Sequence, residues 1–166
     1  MERLWSPWRS KYIATFSEKK ENEKKSSCVL CDAYTSNDDD KHLIVWREKY
    51  SFVVMNLYPY NSGHVMIVPY RHTGNFNELS NEEMLEVMKL LQKLSDVLKT
   101  TLNADGLNIG CNLGRVAGAG IDTHIHFHIV PRWNGDTNFL PVFTDTKIIS
   151  EEMKDTLLKL RRAFGV

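Results

Sequence analysis

Three histidines occupy alternate positions in the stretch THIHFHIVPRW, residues 123–133: His124, His126 and His128. Side chains on a β-strand alternate faces. A strand over 124–133 therefore puts the three imidazoles on one side and Ile125, Phe127 and Ile129 on the other. The apolar side belongs to the core, and a merely solvated opposite face would more cheaply use Thr, Lys or Glu. Imidazole there allows three kinds of chemistry. Two or three rings could hold a catalytic zinc ion, or protonated rings could hold an anion. Alternatively one ring could act as a nucleophile while its neighbours position substrate and move protons, because a pKa near neutrality keeps the free base available. The glycines favour the nucleophile. Gly106, Gly110, Gly114, Gly118 and Gly120 crowd the segment just before the histidines. Backbone amides free of side chains can cradle a phosphate without any net positive charge. Covalent catalysis at phosphorus, through a labile phosphoramidate, is the leading expectation.

A second set of chemistry-bearing residues is Cys28-Val29-Leu30-Cys31, which has the spacing of a zinc half-site. Two more ligands are needed, and His42, His64, His72 and His124 all qualify on residue type. Spacing does not choose among them. Four protein ligands would make the site closed and structural, pinning the N-terminal segment beside the histidine strand. Cys111, on the apolar run LNIGCN, reads as a small buried hydrophobe.

Positioning these groups requires a scaffold, and its periodicities are legible. LIVWR, FVVMNL and HVMIVP between 43 and 69 are short runs rich in β-branched and aromatic residues, with YPYNSG as turn chemistry before the third. Ser80-Asn81-Glu82-Glu83 is a capping box. From it Met84, Val87, Met88, Leu91, Leu94 and Leu98 fall at helical spacing, predicting a helix over roughly 80–101 whose apolar stripe lies on a sheet. LNIGCN and 124–133 read as two further strands. A last helix from about Ser150 carries Glu151 and Glu152 in its first turn and Arg161 and Arg162 in its last, matching the helix dipole. The fold class is α+β, a mostly antiparallel sheet of about five strands covered by a long helix and a C-terminal helix. Residues 1–166 form a single domain in this reading. Residues 1–27 make an aromatic arm, with Trp5 and Trp8 docking on the domain or a partner subunit, followed by a charged surface segment.

Bulk properties narrow the functions further. The chain has 166 residues, 42% hydrophobic and 25% charged, with Lys plus Arg and Asp plus Glu balanced at 21 each. Zero net charge argues against a nucleic-acid binder, which needs an electropositive face. No apolar run approaches a membrane span, and MERLWSPWRSKYIATF lacks the apolar core of a secretion signal. Three cysteines without such a signal fit a reduced, cytoplasmic protein.

HIHFHIV resembles the signature of the histidine-triad superfamily, His-x-His-x-His followed by apolar residues. FVVMNLYPYNSGHVMIVPYRH is similar to that family's upstream strand pair, and NLGRVAGAG to its phosphate loop. HIVPRWNGDTNF and LWSPWRSKYI resemble the prokaryotic branch that includes diadenosine tetraphosphate phosphorylases and hydrolases. The resemblance spans residues 1–140. It implies a homodimer built on half-barrel sheets that cleaves or transfers nucleoside phosphates at the α-phosphorus. Position by position it implies His126 as the nucleophile that takes the nucleotidyl group. His128 would contact phosphate and assist the leaving group, and Asn56 would contact ribose. Asn112 and the Gly118-Ala119-Gly120 cradle would contact phosphates, with Trp133 at an aromatic position of the dinucleotide-cleaving branch. Zinc-bearing relatives, the uridylyltransferases among them, use a CxxC, a histidine after the strand ending in proline and the first triad histidine. The matching set is Cys28, Cys31, His72 and His124. Two rivals stand beside a nucleotide hydrolase or nucleotidyltransferase: a non-catalytic purine-nucleotide-binding module, and a hydrolase with catalytic zinc on the triad histidines.

Overall fold

The computed structural model describes residues 28–136 and 151–166; the aromatic arm expected over 1–27 lies outside them. Helix α1 (Val29–Thr35) leads into strands β1 (Ile44–Arg47), β2 (Ser51–Met55) and β3 (Val65–Pro69), then helix α2 (Asn81–Leu102), strands β4 (Gly106–Cys111) and β5 (Phe127–Arg132), and helix α3 (Met153–Phe164). The strands make one antiparallel sheet in the order β1-β2-β3-β5-β4. Among the described residues, no helix is long and apolar enough to cross a membrane.

Helix α2 starts where its local chemistry dictates. The Ser80 hydroxyl accepts from the Glu83 amide at 3.2 Å, and the Glu83 carboxylate accepts from the Ser80 amide at 2.7 Å, so both bonds of the capping box form. Glu83 is buried, and the Arg71 guanidinium meets its charge at 3.0 Å, tying the end of β3 to the start of α2. Val87, Leu90, Leu91, Leu94, Val97 and Leu98 form the buried stripe. Met88, expected on it, is 53% exposed. At 3.6 residues per turn it lies roughly a third of a turn from the stripe's centre, while Leu90 and Val97, absent from the expected set, lie near it.

The stripe packs with Leu157, Leu160 and Phe164 of α3 against one face of the sheet, where Val53, Val65, Ile67, Phe127 and Ile129 meet it. Helix α3 begins at Met153 rather than near Ser150, with Glu152 as its N-cap. Glu151 precedes the helix and instead takes the Thr156 hydroxyl and the Lys159 ammonium. Arg161, in the last turn as expected, donates to the Ile44 carbonyl at 2.7 and 3.0 Å and so fastens α3 to β1. The opposite face of the sheet carries a smaller cluster of Ile44, Phe52, Val54, Met66 and Val68, closed by Leu30 of α1. Strands β2 and β3 are consequently buried on both faces, which is why their sequences read as continuous apolar runs.

The histidine segment departs from its expected form. β5 begins only at Phe127, and pairing with β3 stops at Ile67↔Phe127. His124 and His126 lie on the approach to the strand, and they are buried, not arrayed on a solvent face: 0% and 6% exposed. The approach is held by a bond outside the ladder, from the Ile125 amide to the Thr73 carbonyl at 2.7 Å. Close passage of the two segments requires Gly74. A Cβ built there would sit 2.2 Å from the Asp122 carbonyl oxygen, and the obstacle is backbone, which cannot swing aside. Gly74→Ala should destabilise the protein by about 2 kcal/mol, within the range for overpacked sites. Thermal unfolding checks this, and an unchanged midpoint would show that the two segments separate without cost.

Candidate active site and metal centre

His124 links two sites. Its Nε2–H donates to the Pro69 carbonyl at 2.8 Å, which leaves Nδ1 bare. That nitrogen lies 3.3 Å from Cys28 Sγ and 3.5 Å from Cys31 Sγ, and His72 Nδ1 lies 3.2 Å from Cys31 Sγ. All four donor atoms fall within 4.8 Å of one another. A tetrahedral zinc site with ordinary Zn–S and Zn–N bonds has ligand edges of about 3.4–3.8 Å; the three sulfur–nitrogen distances above are close to that, so the group could hold a metal ion of this kind. The donor chemistry agrees. Burial, together with the Cys28 thiol alongside, pushes the Cys31 thiol up to about 11. Two neighbouring sulfurs become thiolates together only beside a cation. The carbonyl bond from His124 Nε2 is the outer support that fixes a metal-binding histidine's tautomer. Helix α1 supplies the cysteines: Val29 to Thr35 make two turns, with Leu30 and Ala33 turned into the protein. This short helix is not visible in the sequence pattern.

The other two triad histidines have opposite tautomers, and each is fixed by a group with no alternative. His126 Nδ1–H donates to the His124 carbonyl at 2.8 Å, because a carbonyl can only accept. Its Nε2 therefore carries a lone pair. Burial pushes its pKa below the ordinary histidine range, and the carbonyl bond only partly opposes this, so the free base persists at neutral pH. For His128 the chain of reasoning starts at Tyr60. The Tyr60 amide can only donate, and it does so to His64 Nδ1 at 3.0 Å. His64 must then carry its proton on Nε2, which reaches His128 Nδ1 at 3.0 Å. His128 in turn keeps its proton on Nε2. Burial, with His126 beside it, lowers its pKa to about 4, so this ring is a neutral donor and not a cation. The two rings meet edge to face at 4.8 Å between centroids. The result is one bare imidazole nitrogen beside one imidazole N–H, with neither site needing a change of protonation.

His64 is the functional residue that sequence reasoning missed: it qualified as a zinc ligand only by residue type, and its link to His128 was not foreseen. It is 1% exposed, at the start of β3, and the preceding Gly63 has φ +70°, a conformation glycine adopts freely. His42, the remaining zinc candidate, lies in the turn before β1, its amide bonded to the Asp38 carbonyl, and is not part of the Cys/His group. The only signal for His64 was its place in the YPYNSGH turn, which does not reveal a partner 64 residues away.

Of the expected substrate contacts, Asn56 lies beside the His64–His128 pair and Asn112 shares a cleft with His128, whereas Trp133 lines a separate cavity with Ser62 and Leu102. Asn56 gives its side-chain oxygen to the Tyr58 amide at 2.9 Å, and its Nδ2 lies 3.3 Å from His64 Nδ1, so it also braces the His64 ring. Gly118 has a left-handed backbone, φ +96°. The Gly118 and Ala119 amides close their own turn onto the Arg115 and Gly114 carbonyls at 2.9 and 3.3 Å. Of the expected cradle, this leaves the Gly120 amide as the donor not used in that turn. Arg115 and Asp122 clasp the loop at 2.8 Å. Trp133 donates from Nε1 to the Leu102 carbonyl at 3.2 Å, satisfying the C-terminal end of α2. Cys111 faces the main core, half-buried, with its thiol pKa raised by burial.

Comparison with known proteins agrees with this geometry. The HIT domain matches residues 37–135. A protein of Mycobacterium tuberculosis named AP-4-A phosphorylase is 38% identical over 94% of this chain and 80% of its own length. A Saccharomyces cerevisiae bis(5'-adenosyl)-triphosphatase is 35% identical over 54% of this chain and 44% of its own. Among solved structures, a zinc-bound histidine triad family protein from Mycobacterium smegmatis superposes with a TM-score of 0.68 at 25% identity, covering 84% of this chain and 94% of that one. A match across more than half the sequence, a relative this similar over nearly the whole chain, and a shared fold lead to one conclusion: the protein belongs to the HIT domain family.

Proposed function

We propose that the protein is an enzyme that cleaves dinucleoside polyphosphates at the α-phosphorus and passes the nucleotidyl group through His126. The observation that carries this is the bare Nε2 of His126, fixed by the bond from Nδ1–H to the His124 carbonyl. The names of the relatives, a phosphorylase and a triphosphatase of adenosine dinucleotides, support the substrate class. In the first step the Nε2 lone pair forms a bond to the α-phosphorus. The bond from phosphorus to the bridging oxygen breaks, and its electron pair leaves with the nucleoside polyphosphate. His126 becomes an N-phosphorylated imidazolium whose Nδ1–H still rests on the carbonyl, which stabilises the new positive charge. His128 offers its Nε2–H to the phosphate or leaving oxygen. Asn112 and the Gly118–Gly120 segment contact the non-bridging oxygens, Asn56 contacts the ribose, and Trp133 stands at the outer end of the substrate. In the second step an oxygen of water, which releases its proton to solvent, or of inorganic phosphate attacks phosphorus, the phosphorus–nitrogen bond breaks with its electron pair on Nε2, and His126 returns to its free base.

Cys28, Cys31, His72 and His124 would hold structural zinc, which when bound cross-links α1 to the triad and stays outside the reaction. Catalytic zinc on the triad has less support, because His128 accepts from His64 at Nδ1 and so carries its proton on Nε2, and among the described residues His124 alone of the three joins the metal group. The same reading takes residues 1–166 as one cytoplasmic domain. It also takes the protein to be a homodimer, for which the sheet offers two edge strands, β1 and β4. Mass spectrometry of enzyme quenched during turnover of diadenosine tetraphosphate tests the covalent step. An adenylyl adduct on the peptide bearing His126 is the expected result. An adduct elsewhere, or none during steady turnover, would overturn it.

A further inference from the structure

The cleft beside His128 and Asn112 also holds Tyr60, Asn108 and Gly110, to which the proposed contacts with the nucleotidyl half give no part. Its floor is β4 and β5, where Gly110 pairs with His128 and Asn108 with Val130; residues directly opposite in a sheet project to the same face. Gly110 leaves this floor bare next to the imidazole, and a Cβ there would meet nothing within 4 Å. Asn112 lies beyond the end of β4. The wall is Tyr60, 47% exposed, its ring stacked on His64 at 4.9 Å between centroids and 6.0 Å from His128. Asn108 has a set orientation: its side-chain oxygen accepts from Arg132 Nη1 at 3.0 Å, so the amide NH2 is its remaining donor. The cleft measures about 230 Å3. Pockets that enclose a whole small ligand run to roughly 300–1,000 Å3, so this one takes part of a substrate.

An aromatic wall, neutral amide donors and no carboxylate in the lining make a surface for a nucleoside: a ring to stack on, and donors for base edge, sugar or phosphate oxygens. In the proposed reaction His126 attacks phosphorus and His128, which lines the cleft, gives its N–H to the phosphate or leaving oxygen, so the cleft would border the departing group. We propose that Tyr60, Asn108 and the Gly110 floor form a subsite for the second nucleoside of a dinucleoside polyphosphate, the half that leaves in the first step. This rests on the proposed reaction and adds to it the residues that select the leaving half.

The test compares two substrates that share the adenylyl half. Diadenosine tetraphosphate carries a nucleoside in its leaving group, whereas adenosine 5'-phosphorofluoridate loses only fluoride. The readout is the ratio of their kcat/KM values, measured with the full-length protein and with Tyr60→Ala, Tyr60→Phe and Asn108→Ala, each checked for an intact thermal transition. Tyr60→Ala should lower the ratio by about tenfold, mainly through a higher KM for the dinucleotide, as expected for one lost base–aromatic stack. Tyr60→Phe keeps the ring and should keep the ratio. Asn108→Ala should lower it about threefold without disturbing His64. Equal losses on both substrates would make Tyr60 a brace for His64 only and overturn the subsite, as would an unchanged ratio. A wild type inactive on both substrates would overturn the reaction itself, and the subsite with it.

Discussion

His126→Ala should lower kcat for diadenosine tetraphosphate by at least about 10⁴-fold, while the affinity for adenine nucleotide changes by no more than a few-fold. The size follows from what is removed. A covalent nucleophile supplies a whole reaction path, and losing one typically leaves only the rate enhancement due to binding and electrostatics. Binding should survive because His126 makes its defined contact with the protein, through Nδ1–H to the His124 carbonyl. The ring is nearly buried, 6% exposed, so alanine leaves a hole lined by polar groups and the midpoint of unfolding should fall. Single-turnover kinetics with enzyme in excess, beside equilibrium binding of AMP, separates the two effects. Turnover within tenfold of wild type would remove His126 from the nucleophile's role. Lost binding together with lost turnover would instead make it a substrate ligand.

His128 should behave differently, and the structure gives the reason. With a pKa of about 4 it is a neutral donor throughout the physiological range, and its donor nitrogen is set by His64 and, behind that, by the Tyr60 amide. In the proposed reaction it gives a hydrogen bond to oxygen, not a bond to phosphorus. The two rings look alike in the sequence, two residues apart. Different second partners give them different chemistry: a backbone carbonyl for one, another imidazole for the other.

That contrast marks the boundary of what the chain discloses. Local chemistry was legible. The capping box at Ser80 placed the start of α2 to the residue, because its two hydrogen bonds connect positions three apart. The apolar runs placed β2 and β3, because burial on both faces leaves an uninterrupted run. The resemblance selected His72 and His124 from four candidate histidines, and the fold brings those two to Cys28 and Cys31. Long-range pairings were not legible. His64 meets His128 only because β3 lies beside β5, and nothing in YPYNSGH encodes that neighbour. The expected strand from 124 onward assumed that alternation implies a ladder. Ile125 is buried as expected, held by Thr73 instead of a strand partner, but His124 and His126 are buried as well, so alternation marked the core side correctly and misplaced both the pairing and the exposure of the histidine side. α1 is not legible because seven residues are too few for a helical period, and its cysteines read only as a zinc half-site.

Removing metal from the Cys28–Cys31–His72–His124 group should both destabilise the protein and slow it, and the two effects have separate origins. If zinc binds only the folded chain, free metal a thousandfold above its Kd adds about 4 kcal/mol of stability, which chelation withdraws as a lower unfolding midpoint. The kinetic effect passes through His124 alone. Its side chain belongs to the metal group, while its backbone carbonyl sets the tautomer and direction of His126. Released from the cysteines, His124 still has the bond from Nε2–H to the Pro69 carbonyl, so the carbonyl loosens without being lost. Supporting contacts of this kind are worth about 10–100-fold in activity, well short of the loss from His126→Ala. His72→Ala removes one of the four donors at an exposed position, leaving His124 in place, and should reproduce both effects more weakly. Metal content, unfolding midpoint and kcat measured on the same samples decide the matter. If chelation ended turnover outright while the midpoint stayed fixed, the metal would be acting on substrate and the closed structural site would be wrong. If neither quantity moved, the thiols and imidazoles would be holding α1 against the triad by packing alone.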